Sequence, residues 1–159
     1  AAETLKRTNY LIAREIKRGM FVTAMFTILN VRTRELVTCS AGHNPMAVFR
    51  ERTGKCELVN PNGIALGFDK GPVFDRTLQQ VSVQLEKGDR AVMYTDGVVE
   101  AMSEVHEEYG DDRFYEFVRQ HAKMRSKDFV YALVRDLDDH KGRAEQHDDI
   151  TISTLRVVS

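Results

Sequence analysis

Two acidic strand ends are the places in this sequence where chemistry could be done. In Tyr94-Thr95-Asp96-Gly97-Val98-Val99-Glu100 a carboxylate follows the compact apolar run RAVMYT, and a glycine follows the carboxylate. A strand would hold that carboxylate still and the glycine would let the backbone turn beside an ion, which suits a ligand for a hard cation. Read alone, Asp96 serves as well for a turn or a helix cap, roles that Asp-Gly fills constantly. The second place is His147-Asp148-Asp149-Ile150-Thr151, an acidic pair at the mouth of the last apolar strand. Adjacent carboxylates repel unless a cation or solvent relieves them, and a solvated turn would satisfy that need too. If the two strands lie side by side, Asp96 and Asp148 converge on one hard cation.

A third strand end, Ser40-Ala41-Gly42-His43-Asn44-Pro45, offers a single imidazole. His43 could be a ligand, a general acid or a hydrogen-bonder that shapes a turn, the last being the common fate of a lone histidine beside glycine. His106, His121, His140 and His147 lack mutual ligand spacing and read as surface or helix residues. Asp111-Asp112 and the run from Asp136 to His140 read as solvated charge. Several phosphatase chemistries are excluded on residue type. A haloacid-dehalogenase-type enzyme needs a nucleophilic aspartate two residues before Asp96, where Tyr94 stands. A thiol phosphatase needs a cysteine in a phosphate-cradling loop, and neither Cys39 nor Cys56 lies in one; a Walker-type loop is absent as well. No residue is assigned as a nucleophile or general acid.

The elements that must position these groups follow from periodicity. Glu3 to Arg18 reads as an amphipathic helix with Leu5, Leu11, Ile12 and Ile16 near one face and Gly19 as its terminator. Phe21 to Leu29, Glu35 to Ser40, Met46 to Arg50 and Cys56 to Asn60 read as strands joined by polar turns. After a Pro- and Gly-punctuated loop, Phe74 to Leu85 alternates as a half-buried strand, and Arg90 to Thr95 follows as a buried one. Helical spacing returns at Phe114, Phe117, Val118 and His121, and again at Phe129, Val130, Leu133, Val134 and Leu137; Asp149 to Val158 closes as a strand. Strands, then helices, then a returning strand predict an α+β fold with largely antiparallel sheets.

The totals set bounds. A chain of 159 residues suits one domain, and 42% hydrophobic with 30% charged residues is ordinary globular composition. A net charge of -1 gives no electrostatic reason to expect nucleic acid or an anionic membrane as partner. No apolar run approaches the ~20 residues that span a bilayer, and the two cysteines read as free thiols of a reducing cytosol.

Taken in order, FVTAMFTILNVRTRELVTCSAGHNPMAVFR, GIALGF, GDRAVMYTDGVVEA, YGDDRF and HDDITI resemble the stage II sporulation protein E-like branch of the metal-dependent protein phosphatases, the PPM superfamily. The resemblance runs from about Leu5 to Val158. It implies an α-β-β-α sandwich of two antiparallel sheets flanked by helices. It implies, too, that two Mn²⁺ or Mg²⁺ ions are held by aspartates, and that a metal-activated water attacks phosphoserine or phosphothreonine with no phosphoenzyme. On this resemblance Asp96 and Asp148 are metal ligands, Asp149 is the less favoured rival of Asp148, and Glu100 falls where some relatives hold a weaker third ion.

The family's domain opens with a strand pair whose aspartate, followed by glycine, bridges both metals, and nothing before Leu5 supplies it. The expectation is a single phosphatase domain, 1–159, truncated at its N-terminus, lacking its first strands and inactive alone. Uncovered sheet edge would then favour self-association into a homo-oligomer. The resemblance further implies a cytoplasmic bacterial signalling protein with an upstream sensor or receiver domain. Its substrate would be a phosphorylated partner, such as a STAS-type anti-sigma-factor antagonist. The alternative is a catalytically inactive phosphatase-like binding module.

Overall fold

The strands form where β-branched and alternating residues run, and the helices where apolar residues recur every three or four positions. The computed structural model describes residues 1–158. In chain order the elements are α1 (Ala2–Glu15), β1 (Ala24–Asn30), β2 (Glu35–Ala41), β3 (Met46–Arg50), β4 (Lys55–Val59), α2 (Pro72–Thr77), β5 (Gln80–Gln84), β6 (Arg90–Tyr94), α3 (Asp111–His121), α4 (Ser126–Lys141) and β7 (Ile152–Arg156). They group into two compact units: Ala1–Pro45 with Asn60–Leu85, and Met46–Val59 with the residues from Glu86 onward. Each contains one antiparallel sheet, so the fold class is the α+β one expected.

In the first unit the strand order is β1-β2-β5. Leu5 of α1 is buried in a cluster with Cys39, Ala41, Leu66 and Phe74. Asn9, only 1% exposed, anchors the helix: its amide donates to the Asp69 carbonyl at 2.9 Å and its Oδ1 accepts from Gly67 N–H at 2.8 Å.

Two expectations fail here. The first helix stops at Glu15 rather than Arg18, because Ile16 leaves in an extended conformation (ψ 140°) and its side chain lies against Gly67. Tertiary packing ends the helix before Gly19 can. The stretch from Phe74 is not strand either; it lies in α2, and β5 begins only at Gln80. Asp69 explains the difference, since its Oδ1 accepts from the N–H groups of Gly71 (3.0 Å), Val73 (2.8 Å) and Phe74 (3.1 Å). Those bonds, the one from Phe74 foremost, hold the Asp69 carboxyl below the usual carboxylate range. With Pro72 at the start of the helix, the segment is a capped helical turn whose apolar spacing imitates a strand.

The second unit has strand order β4-β3-β6-β7. Ala47, Phe49, Val92 and Tyr94 project from one sheet face into a core with Phe114, Phe117 and Val118 of α3 and Phe129, Leu133 and Leu137 of α4. Ring pairs bind the layers, Tyr94 to Phe114 at 4.2 Å and Phe117 to Phe129 at 5.6 Å between centroids. Val134, placed on the apolar face by periodicity, is 41% exposed instead.

The run from Asp136 to His140 is not simply solvated charge. Asp136 accepts from the Tyr109 hydroxyl and pairs with Arg113 at 3.2 Å, while His140 meets Arg113 at 2.9 Å and the Glu107 carbonyl at 3.1 Å. This network pins the 101–110 segment against α4. Asp111 likewise takes the Tyr115 hydroxyl at 3.0 Å.

Both cysteines are free thiols. Burial raises the Cys39 thiol and, aided by Glu57, pushes Cys56 up to about 11. At pH 8 only about one Cys56 in a thousand is then thiolate, the reactive form. Neither cysteine is therefore expected to react with Ellman's reagent within minutes in the native protein, whereas both react once guanidinium unfolds it. Prompt native labelling of Cys56 would contradict its raised pKa.

Candidate functional site

The site grows from the end of one ladder. Strands β6 and β7 pair antiparallel through Tyr94↔Ile152. One step further, Thr95 N–H still donates to the Thr151 carbonyl at 3.1 Å. The reciprocal bond is different: Thr151 N–H donates to the Thr95 hydroxyl at 2.8 Å, not to its carbonyl. That carbonyl instead accepts from Val98 N–H at 3.0 Å and opens a 3₁₀ turn over Asp96–Val98. The Thr95 hydroxyl also donates to the Asp149 carbonyl at 2.9 Å.

Asp96 is thereby lifted out of the strand at the point where the 148–151 segment enters β7. Gly97 lets the two backbones touch: a Cβ there would lie 2.7 Å from the Asp149 carbonyl oxygen and 3.3 Å from that of Asp148. Real Cβ atoms do not approach an oxygen so closely, so glycine is a condition of this meeting.

Asp96 and Asp148 are both exposed. One oxygen of each accepts a backbone bond, from Gly97 N–H at 3.1 Å and from Asp149 N–H at 2.7 Å. Among the described residues no lysine, arginine or histidine ion-pairs with Asp96, Glu100, Asp148 or Asp149. Glu100 and Asp148 share the wall of a cleft of about 180 Å³ with Glu108, Asp138, Lys141 and His147, and Lys141 lies 3.8 Å from Asp138. Asp149 is set apart by its backbone role, its carbonyl taken by Thr95.

The donor set suits a hard cation in kind, since it is carboxylate oxygen left free of basic partners. It is short in number: among the described residues no three Asp, Glu, His or Cys side chains converge closely enough to hold an ion. His43 belongs to the first unit, where its N–H donates to the Ser40 hydroxyl at 3.0 Å and its carbonyl accepts that hydroxyl at 3.1 Å. Both bonds engage its backbone and shape the turn; the imidazole Nδ1 itself lies 3.5 Å from the Thr23 hydroxyl. Tyr94, placed where a dehalogenase-type nucleophile would stand, is buried, and burial and the Tyr115 hydroxyl raise its phenol far above the usual range.

A family profile described as stage II sporulation protein E (SpoIIE) matches residues 1–158. The chain belongs to the SpoIIE family. Among curated relatives, the phosphoserine phosphatase RsbU of Bacillus subtilis is 25% identical over 158 residues, covering 98% of this chain and 44% of its own length. The chain thus spans less than half of that relative. Among solved structures, the SiaA-PP2C domain of Pseudomonas aeruginosa superposes with a TM-score of 0.79 at 22% identity, covering 96% of this chain and 58% of that one. The phosphatase domain of SpoIIE from Bacillus subtilis, presoaked with Mn, gives a TM-score of 0.65 at 18% identity over 97% of this chain and 65% of that one. At those identities the superpositions establish the fold. They show a PP2C-like architecture for this SpoIIE-family chain.

Sequence reasoning marked these carboxylates as candidates and missed the contacts that join their segments. Thr95 and Thr151 were readable as hydroxyl-bearing residues beside each acidic strand end, but only the pairing of β6 with β7 reveals that one serves the other.

Proposed function

We propose that this SpoIIE-family chain is the catalytic part of a metal-dependent serine/threonine protein phosphatase from a bacterial signalling protein. It removes phosphate from phosphoserine or phosphothreonine on a protein partner, with a STAS-type anti-sigma-factor antagonist as the expected class. The observation that carries this reading is the meeting of the Asp96 turn with the Asp148 segment, with no basic side chain among the described residues ion-paired to either acid. Asp96 and Asp148 would hold Mn²⁺ or Mg²⁺, Glu100, which lines the same cleft as Asp148, would serve a further ion, and Asp149 would support through its backbone. Bound there, the ions supply Lewis-acid chemistry, lowering the pKa of a water and neutralising charge on the phosphoryl group.

The chain's own residues contribute position and charge. The β6–β7 ladder ends beside both acidic segments, and the exposure of Asp96 and Asp148 would leave a phosphorylated segment room to approach. Among the described residues no third Asp, Glu, His or Cys side chain converges with Asp96 and Asp148 to complete an ion site. That same shortage favours a second reading, an inactive phosphatase-like module that binds its partner without hydrolysis.

Hydrolysis of a phosphoserine peptide by the full-length protein separates the two. Turnover is expected with 1–2 mM Mn²⁺ (roughly, an excess over a weak divalent site) and is expected to vanish with EDTA. Partner binding without turnover at any metal concentration would establish the binding module instead.

A further inference from the structure

We propose that Thr95 is a positioning residue whose hydroxyl substitutes for its own backbone carbonyl in the β6–β7 ladder, and so sets the spacing of the two metal-binding segments. This deepens the phosphatase reading and rests on it. An ordinary antiparallel pair at Thr95 and Thr151 would exchange two backbone bonds. Such a pair would keep the Thr95 carbonyl in the ladder and carry Asp96 straight on as strand.

Here the carbonyl is released to Val98 N–H at 3.0 Å, and the chain turns at Asp96. The Thr151 N–H would be stranded by that turn. The Thr95 hydroxyl recovers it at 2.8 Å, and spends its own proton on the Asp149 carbonyl at 2.9 Å. One side chain therefore accepts from the residue just before β7 and donates to the residue after Asp148. The hydroxyl's donor and its acceptor capacity are both used, a demand that Ser or Thr meets and an aliphatic side chain cannot.

The consequence is geometric. Asp96 follows Thr95 directly, and Asp148 precedes Asp149 directly, so the hydroxyl ties the two segments one residue from each carboxylate. Gly97 supplies the room and Thr95 supplies the tether; neither contributes a charge. Partners of this kind around metal ligands typically alter metal affinity by about 10–100-fold.

The test is Mn²⁺ affinity of the full-length protein by titration calorimetry or by the loss of the free-ion electron spin resonance signal, well below the melting temperature. Thr95→Val, which keeps the shape and removes the hydroxyl, is expected to weaken Mn²⁺ binding about 10-fold or more. Thr95→Ser is expected to stay within about threefold of the wild type, since it keeps both bonds. A general loss of packing would not be rescued by the smaller serine. A wild-type measurement stands beside the variants should Thr95→Val not fold: adding Mn²⁺ should slow amide exchange at Thr151 more than at Val92, which lies in the same sheet away from the turn. Unchanged Mn²⁺ affinity in a folded Thr95→Val protein, or equal protection of both amides, overturns the proposal. Asp96→Asn serves as the reference. If it fails to weaken Mn²⁺ binding, the metal site is wrong; if it weakens binding and Thr95→Val does not, only the tether is wrong.

Discussion

Asp96→Asn in the full-length protein is expected to lower Mn²⁺-dependent hydrolysis of p-nitrophenyl phosphate by about a thousandfold or more. Lewis-acid stabilisation by a bound ion is worth several kcal/mol in the transition state, and each ~1.4 kcal/mol is a factor of ten. Stability should not follow activity down. Asp96 is exposed, and its side chain makes one short-range bond, to the adjacent Gly97 N–H. Exposed substitutions of this sort stay within about 0.5 kcal/mol, and removing one of several crowded acids relieves repulsion in metal-free buffer. The melting temperature without metal should be unchanged or slightly raised. Activity within a few-fold of wild type would remove Asp96 from the ligand set.

The second large effect is on folding. Arg90 is fully buried at the start of β6. Its guanidinium donates to the Ala122 carbonyl at 2.9 Å, to the Met124 carbonyl, and to the Thr154 hydroxyl at 2.9 Å, and lies 4.4 Å above the Phe129 ring. Burial, with Arg156 nearby, brings its pKa down to about 10, so the group is still charged at neutral pH. It ties the end of α3 and the following turn to β7 across the face of the sheet.

Arg90→Ala leaves buried acceptors unpaired and opens a cavity, and is expected to cost about 3–5 kcal/mol in urea unfolding. Arg90→Lys should recover only part of this, because an ammonium cannot make the same directed fork of bonds. A loss below about 1 kcal/mol, the scale of a single ordinary hydrogen bond, would mean that the carbonyls find other donors.

Much of this molecule was legible from residue patterns. β3 spans Met46–Arg50 as periodicity required, and β2, β4 and β6 start and stop within a residue of expectation, because each is a short β-branched or apolar run bounded by polar turns. What misled was local chemistry overriding periodicity. Asp69 turns the stretch after Gly71 into a helix through three backbone bonds, and a pattern of apolar residues carries no trace of that. Arg90 and Asp89 were invisible for the opposite reason. Asp89 reads as part of a turn and Arg90 as the charged first residue of a buried strand, yet both side chains are enclosed; Asp89 accepts from Glu51 and Glu86 N–H at 3.0 Å each and pairs with Arg50 at 3.0 Å. Only the fold shows which charges are enclosed.

The site divides in the same way. Asp96 and Asp148 read as strand-end acids in the sequence, although β7 begins only at Ile152, while the hydroxyl that joins their segments requires the β6–β7 register.

That register has a bearing on when the protein can act. Thr95 and Asp149 are 54 residues apart in sequence, with both α3 and α4 between them. Bringing them together closes a long loop, and contacts of such separation form late and slowly. On a ribosome, Asp96 emerges well before β7 exists to meet it. On the proposed metal site, a nascent chain would present isolated acids with little hold on a divalent ion until β7 docks. Metal binding would then report the docking of β7, and a chain cut short before Ile152 should remain without it, however well α3 and α4 have packed.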